Sequence, residues 1–201
     1  MNHKQKIAVV APPILIGMMY PIFHLLSGVF EERIGWYLGL LLYWLVWGAA
    51  FPRLMIGGEG IRNMIRPRKP SVKILLLVLF PLLMAALYKL IPGMEYEKPS
   101  MGILLLLLSS CFGNGFFEEL LWRGLYLYLF PNSILYKMVW PSVWFALWHY
   151  VPGSVSSGGN VLGLMIGSGL MGFYLSFLVH KTGTIWWAIV AHTLGGIIMV
   201  L

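Results

Sequence analysis

The sequence predicts an all-α fold, a polytopic membrane helix bundle of about seven transmembrane helices. Three observations carry this expectation. Only 10% of the 201 residues are charged and 59% are hydrophobic, against about 25% charged in a soluble domain. Several apolar runs approach the ~20 residues needed to cross a bilayer. Lysine and arginine are also distributed unevenly among the segments that join those runs.

The expected spans are residues 7–26, 34–51, 72–91, 101–130, 135–151, 161–180 and 184–201. No polar stretch is long enough to fold separately, so residues 1–201 read as a single membrane domain. The basic start MNHKQK leads into an apolar run that is too long for a signal peptide and shows no cleavage site, so it reads as the first helix. The second and fifth runs are short but rich in tryptophan (Trp44, Trp47, Trp140, Trp144, Trp148), and some of these residues are expected at the membrane interface. The fourth run is long enough to tilt, bend or break, with Gly113 and Gly115 as the expected bend. Residues 52–73 form the one real linker, where Pro52, Pro67 and Pro70 discourage a long helix. Residues 152–159, PGSVSSGG, read as a flexible loop.

An inside N-terminus places ten of the fourteen basic residues inside: Lys4, Lys6, Arg53, Arg62, Arg66, Arg68, Lys69, Lys73, Lys137 and Lys181. Arg33, Lys89 and Lys98 fall outside with Glu31, Glu32, Glu95 and Glu97, and Arg123 lies within a span. This bias follows the positive-inside rule. The net charge of +7 is thus concentrated beside the membrane. It implies contact with the lipid bilayer and its anionic headgroups rather than with nucleic acid. The single cysteine, Cys111, excludes an internal disulfide or a cysteine metal cluster and reads as a small core residue.

Chemistry concentrates in residues 113–126, GNGFFEELLWRGLY. A charge at the bilayer centre costs at least ~2.5–3.5 kcal/mol, so Glu118, Glu119 and Arg123 need a reason to be there. Glu119 and Arg123 stand at i and i+4 and can pair on one face. Glu118 is rotated by ~100°, and its own i+4 neighbour is Trp122. An unneutralised carboxylate against apolar surface suits a general base near neutral pH. The fifth run carries FALWH, with Phe145 and His149, and the seventh carries His192 in AHTLGG. At ~1.5 Å per residue, Glu118, His149 and His192 lie ~18, ~21 and ~12 Å above the same membrane face, so all three fall at middle depth. Taken singly, each histidine also fits a helix–helix hydrogen bond, and the Glu–Arg pair fits a structural clamp or an ion path.

EELLWR, FALWH and the later His192, in this order on separate apolar helices, resemble the motifs of the CPBP intramembrane proteases, also called the CAAX protease or Abi family, which includes the Ras-converting CAAX endopeptidases. The resemblance covers the C-terminal half. It implies a four-helix catalytic core in residues 101–201, preceded by N-terminal helices in residues 1–100. It also implies an intramembrane endopeptidase acting on a membrane-anchored peptide or protein in a prokaryotic cytoplasmic membrane. In that mechanism Glu118 and His149 activate a water, His192 stabilises the oxyanion, and Glu119 with Arg123 holds the site. The family pattern places an asparagine four residues after His192, where this chain has Gly196. Asn114, Asn160 and Thr193 are candidate replacements, and Asn114, one turn before Glu118, has the best spacing. No metal or other cofactor is expected. If zinc were used, its ligands would be Glu118, His149 and His192. Gly196 also keeps open a catalytically inactive scaffold or bacteriocin-immunity-type binding protein. A small transporter is the third reading, which the lack of an inverted repeat disfavours.

Overall fold

The computed structural model describes residues 1–90, 99–156 and 159–201, and every regular element among them is helical. Glu95, Glu97, Lys98 and the end of the expected third span at Ile91 lie outside the described residues, as do Ser157 and Gly158 of the expected loop.

Helix α1, His3–Val29, starts in a capping box in which Asn2 accepts from the Gln5 amide and Gln5 answers to the Asn2 amide. Helix α2 spans Glu32–Ile65 and α3 spans Val72–Lys89. Helix α4, Met101–Leu129, follows the cap of Ser100. The π turn Leu135–Val139 continues into the helix Trp140–Trp148, and together they form α5. A short α6, Tyr150–Ser154, precedes α7, Val161–Thr182, and α8, Trp186–Val200. Five of these (α1, α2, α3, α4 and α7) are long and apolar enough to cross a membrane, and α8 is a shorter apolar helix. Helix α3 buries only 11% of its apolar window. Its exposed Leu75, Leu76, Leu79, Phe80 and Leu83 form a surface that suits lipid rather than water.

Several expectations are corrected. The linker is much shorter than 52–73, because α2 runs through Pro52 to Ile65 and only residues 66–71 are non-helical. Pro52 follows the π segment Trp44–Ala50, whose widened turn leaves a carbonyl free and so accommodates the absent proline N–H. A kink does occur at Gly57, whose φ of 71° favours glycine. Gly113 ends the regular α-helical part of α4, and Gly115 lies within its first π turn. Both stay helical, and the irregularity is two π turns, Asn114–Glu118 and Leu120–Gly124. The fifth run is not one span over 135–151, since it is interrupted at His149, between α5 and α6. Trp44, Trp47 and Trp148 are not interface anchors but are buried in the bundle.

Small residues set how closely the helices approach α4. A Cβ on Gly113 would lie 2.5 Å from the Trp44 ring, and one on Gly48 would lie 2.6 Å from Phe117, so α2 and α4 meet at their π turns. A Cβ on Gly115 would collide with Thr193 of α8. Gly172 brings α7 onto Phe145 and Arg123, at 3.1 and 3.3 Å from its absent Cβ. The N-terminal helices are tied to α4 by polar contacts at one end. Tyr126 donates to the Ala8 carbonyl at 2.7 Å, and Gln5 donates to the Leu129 carbonyl at 2.7 Å. The segment after α2 is pinned where Thr184 donates to the Met64 and Arg66 carbonyls.

Gly172→Leu should push α7 off Phe145 and Arg123 and cost about 1–3 kcal/mol through overpacking. The expected result is a lower folded yield and a lower unfolding temperature in detergent. Gly17→Leu, at a position with open space around it, is expected to behave as wild type.

Candidate active site

The two glutamates on α4 are almost fully buried, Glu118 at 2% exposure and Glu119 at 0%. Their environments differ in kind. Glu119 Oε1 accepts from Arg123 Nη1 at 2.9 Å, one turn along the same helix. The same oxygen meets His192 Nδ1 of α8 at 2.8 Å. Glu119 is therefore not committed to Arg123 alone, because it also orients a histidine. Both donors can carry positive charge, which is what a carboxylate requires at zero exposure. The Arg123 guanidinium also lies over the Phe145 ring, 4.2 Å from its centroid, in cation–π geometry.

Glu118 has no arginine or lysine partner within the 4.0 Å ion-pair limit among the described residues. Its Oε1 accepts from the Trp148 indole N–H at 3.2 Å. Its Oε2 is buried without a hydrogen-bond partner among the described residues and lies 3.8 Å from His192 Nε2. That gap is too long for a direct hydrogen bond. His192 thus stands between the two carboxylates, tied to Glu119 through Nδ1 and turned toward Glu118 through Nε2.

His149 sits at the junction of α5 and α6. Its Nδ1 is 2.7 Å from the Phe145 carbonyl oxygen. A carbonyl only accepts, so Nδ1 carries the proton and Nε2 of the neutral ring holds the lone pair. Phe145 packs edge-on against both histidines, with ring centroids 4.5 Å from His149 and 6.4 Å from His192. Glu118, Glu119, Arg123, Phe145, His149 and His192 are therefore one cluster, drawn from α4, α5 and α8.

The candidate oxyanion donors separate. Asn160 is exposed at the start of α7, where it caps the helix by accepting from Gly163 N–H at 2.9 Å. Thr193 is buried against Gly115. Asn114 Oδ1 accepts from Trp44 Nε1 at 2.9 Å. An indole N–H only donates, so this contact identifies Oδ1 as the acceptor and leaves the Nδ2 hydrogens for other partners. Gly196 packs against Cys111, whose Sγ would be 3.1 Å from a Cβ at 196. An asparagine there would meet the wall of α4. The residues missed from sequence are aromatic: Trp148 donates to Glu118 and Trp44 to Asn114, while Trp122 donates to the Tyr43 hydroxyl beside them. The available signal was burial, since an indole N–H inside an apolar bundle requires an acceptor.

Residues 100–198 match the family model described as type II CAAX prenyl endopeptidase Rce1-like. This part of the chain belongs to the CAAX protease family. No curated protein and no solved structure matches the chain. The CAAX protease segment contains α4, α5, α7 and α8 and thus every charged residue of the cluster. At the level of the family this is an integral membrane protein of protease type. Among the described residues no group of three or more His, Cys, Asp or Glu side chains is placed to hold a metal ion, and Glu119 Oε1 already takes two donors.

Arg123→Met leaves the Glu119 charge with His192 alone. It should cost about 3–5 kcal/mol, as expected when one partner of a buried pair is removed. The double variant Glu119→Gln/Arg123→Met should lose less than Arg123→Met alone. Unfolding temperature and folded yield of the three proteins in one detergent check this order.

Proposed function

We propose that the chain is an intramembrane endopeptidase that hydrolyses a peptide bond of a membrane-anchored protein or peptide with a water activated by Glu118 and His149. The observation that carries this reading is the contrast between the two glutamates. Each keeps its Oε2 without a hydrogen-bond partner among the described residues, but Glu119 takes the Arg123 guanidinium and the His192 imidazole on its other oxygen, whereas Glu118, equally buried, takes only the neutral Trp148 indole and has Oε2 3.8 Å from the His192 ring. A structural ion pair needs the first arrangement only. The second is what a general base needs.

In this mechanism the nucleophilic water donates one hydrogen bond to Glu118 and the other to the His149 Nε2 lone pair. As the water oxygen bonds to the substrate carbonyl carbon, Glu118 takes its proton. The carbonyl oxygen becomes an oxyanion, which His192 Nε2 stabilises in its imidazolium form while Glu119 holds the Nδ1 proton. Asn114 Nδ2 is the second oxyanion donor. It takes the place of the family's asparagine, and Trp44 holds it in orientation. The C–N bond then breaks, and Glu118 returns the proton to the leaving nitrogen. The products are an amine and a carboxylic acid, with no metal required. The proposed topology keeps the N-terminus inside, with Lys4, Lys6 and the basic residues 62–73 at the inner membrane face.

A second reading is a scaffold that binds a membrane peptide without cutting it. The observation favouring it is Gly196, which leaves the family's usual oxyanion donor absent.

Glu118→Gln keeps the shape and removes the base. It should lower cleavage by roughly 10²–10⁴-fold with unchanged folded yield. Comparing membrane peptides from cells that carry wild type or Glu118→Gln identifies the substrate. Identical peptide profiles would select the scaffold. Asn114→Ala should lower kcat by roughly 10²–10³-fold if its amide is an oxyanion donor. Unchanged kcat in purified protein would remove Asn114 from the mechanism.

A further inference from the structure

Trp148 and His149 are chain neighbours at the end of α5, where the helix is interrupted, and they serve different atoms. His149 turns its ring back to the Phe145 carbonyl. Trp148 sends its indole N–H to Glu118 Oε1 at 3.2 Å. Among the described residues this is the one hydrogen bond to the Glu118 carboxylate.

The indole that makes it is fully buried and braced by rings from two other helices. Tyr43 of α2 stacks on it, with centroids 4.1 Å apart and planes at 24°. Phe23 of α1 meets it edge-on, 6.0 Å away with planes at 80°. The Tyr43 ring is held in turn, because its hydroxyl accepts from Trp122 Nε1 at 2.8 Å. Trp122 stands one turn after Glu118 on α4. The contacts therefore leave α4 at Trp122 and return to it at Glu118, through Tyr43 and Trp148. Phe23 and Tyr43 lie outside residues 100–198, so the N-terminal helices complete this brace.

A free carboxylate can offer either of its two oxygens to a reacting water. A buried donor on one of them removes that choice. Here Oε1 is engaged by an N–H that only donates. Oε2 is left without a hydrogen-bond partner among the described residues, 3.8 Å from His192 Nε2. We propose that Trp148 is a positioning residue for Glu118: by holding Oε1, it makes Oε2 the oxygen that takes the proton from water. This deepens the proposed function and rests on it for the role of Glu118. The kind of donor suits the task. A cation on Oε1 would stabilise the carboxylate charge and weaken the base. An indole orients the group without adding a full charge to it.

The test has a spectroscopic arm and a kinetic arm. In protein labelled with 15N-tryptophan, the Trp148 indole N–H resonance is identified by its loss in Trp148→Phe. Glu118→Gln exchanges the anionic acceptor for a neutral amide and should move that resonance upfield. An unmoved resonance overturns the proposal. For the kinetic arm, 3-benzothienylalanine in place of Trp148 keeps the bicyclic shape and replaces the N–H by sulfur. It should lower kcat roughly tenfold to hundredfold, with KM within about twofold and little change in unfolding temperature. A residue that only fills space would leave kcat at the wild-type value in this isosteric protein, and that result in a cleaving preparation also overturns the proposal. If wild type cleaves nothing, the proteolytic reading fails, while the resonance still decides whether Trp148 holds Glu118. If the protein with the analogue does not fold, Trp148→Phe takes its place in the assay, and a wild-type kcat there overturns the proposal equally.

Discussion

The Glu119 carboxylate is the constraint on which the rest of the bundle depends. At zero exposure in an apolar helix, a carboxylate is tolerated only with strong donors in good geometry. One oxygen receives a guanidinium from its own helix and an imidazole from α8, at 2.9 and 2.8 Å. The second contact joins residues far apart in the chain, so α8 cannot dock at another height without stranding a charge in lipid. Gly115 and Gly172 follow from this requirement. They let α8 and α7 close over the pair, where side chains would hold them away.

Placing His192 for Glu119 also places it for Glu118. The ring spans the two carboxylates, with one nitrogen bound and the other turned to the open oxygen. Adjacent glutamates thus acquire opposite characters from one histidine and the rotation between neighbouring helix positions. A guanidinium and an imidazole hold the first, and a neutral indole donates to the second. The π turns at Asn114–Glu118 and Leu120–Gly124 flank Glu119 and carry the reactive stretch. Such widened turns recur at functional sites because they redirect side chains without breaking the helix.

The departure from the family pattern has a packing explanation. A Cβ at position 196 would press on the Cys111 sulfur at 3.1 Å, so glycine there lets α8 pack closely on α4. Asn114 stands on the opposing helix with its amide oriented by Trp44. The N-terminal helices, outside the matched segment, therefore do more than shield the core from lipid. Trp44 of α2 donates to Asn114, and the Tyr43 ring stacks on Trp148, which donates to Glu118.

Much of this protein was legible in its residues. The low charge and the apolar runs determine a helical membrane bundle, because backbone amides in lipid must be satisfied within helices. The i,i+4 relation of Glu119 and Arg123 determines their pairing, and the depth estimate puts Glu118, His149 and His192 at one level, where a site from three helices is possible. Pro52 was misleading when read locally. Proline reports a break only if no neighbouring turn accommodates the missing group, and here a π turn does. The tertiary structure alone decided that His192 stands between the two glutamates, that Asn160 caps α7, and that Trp148 and Trp44 donate to Glu118 and Asn114. Those contacts link different helices, and their register is set by packing between surfaces that no single helix period encodes.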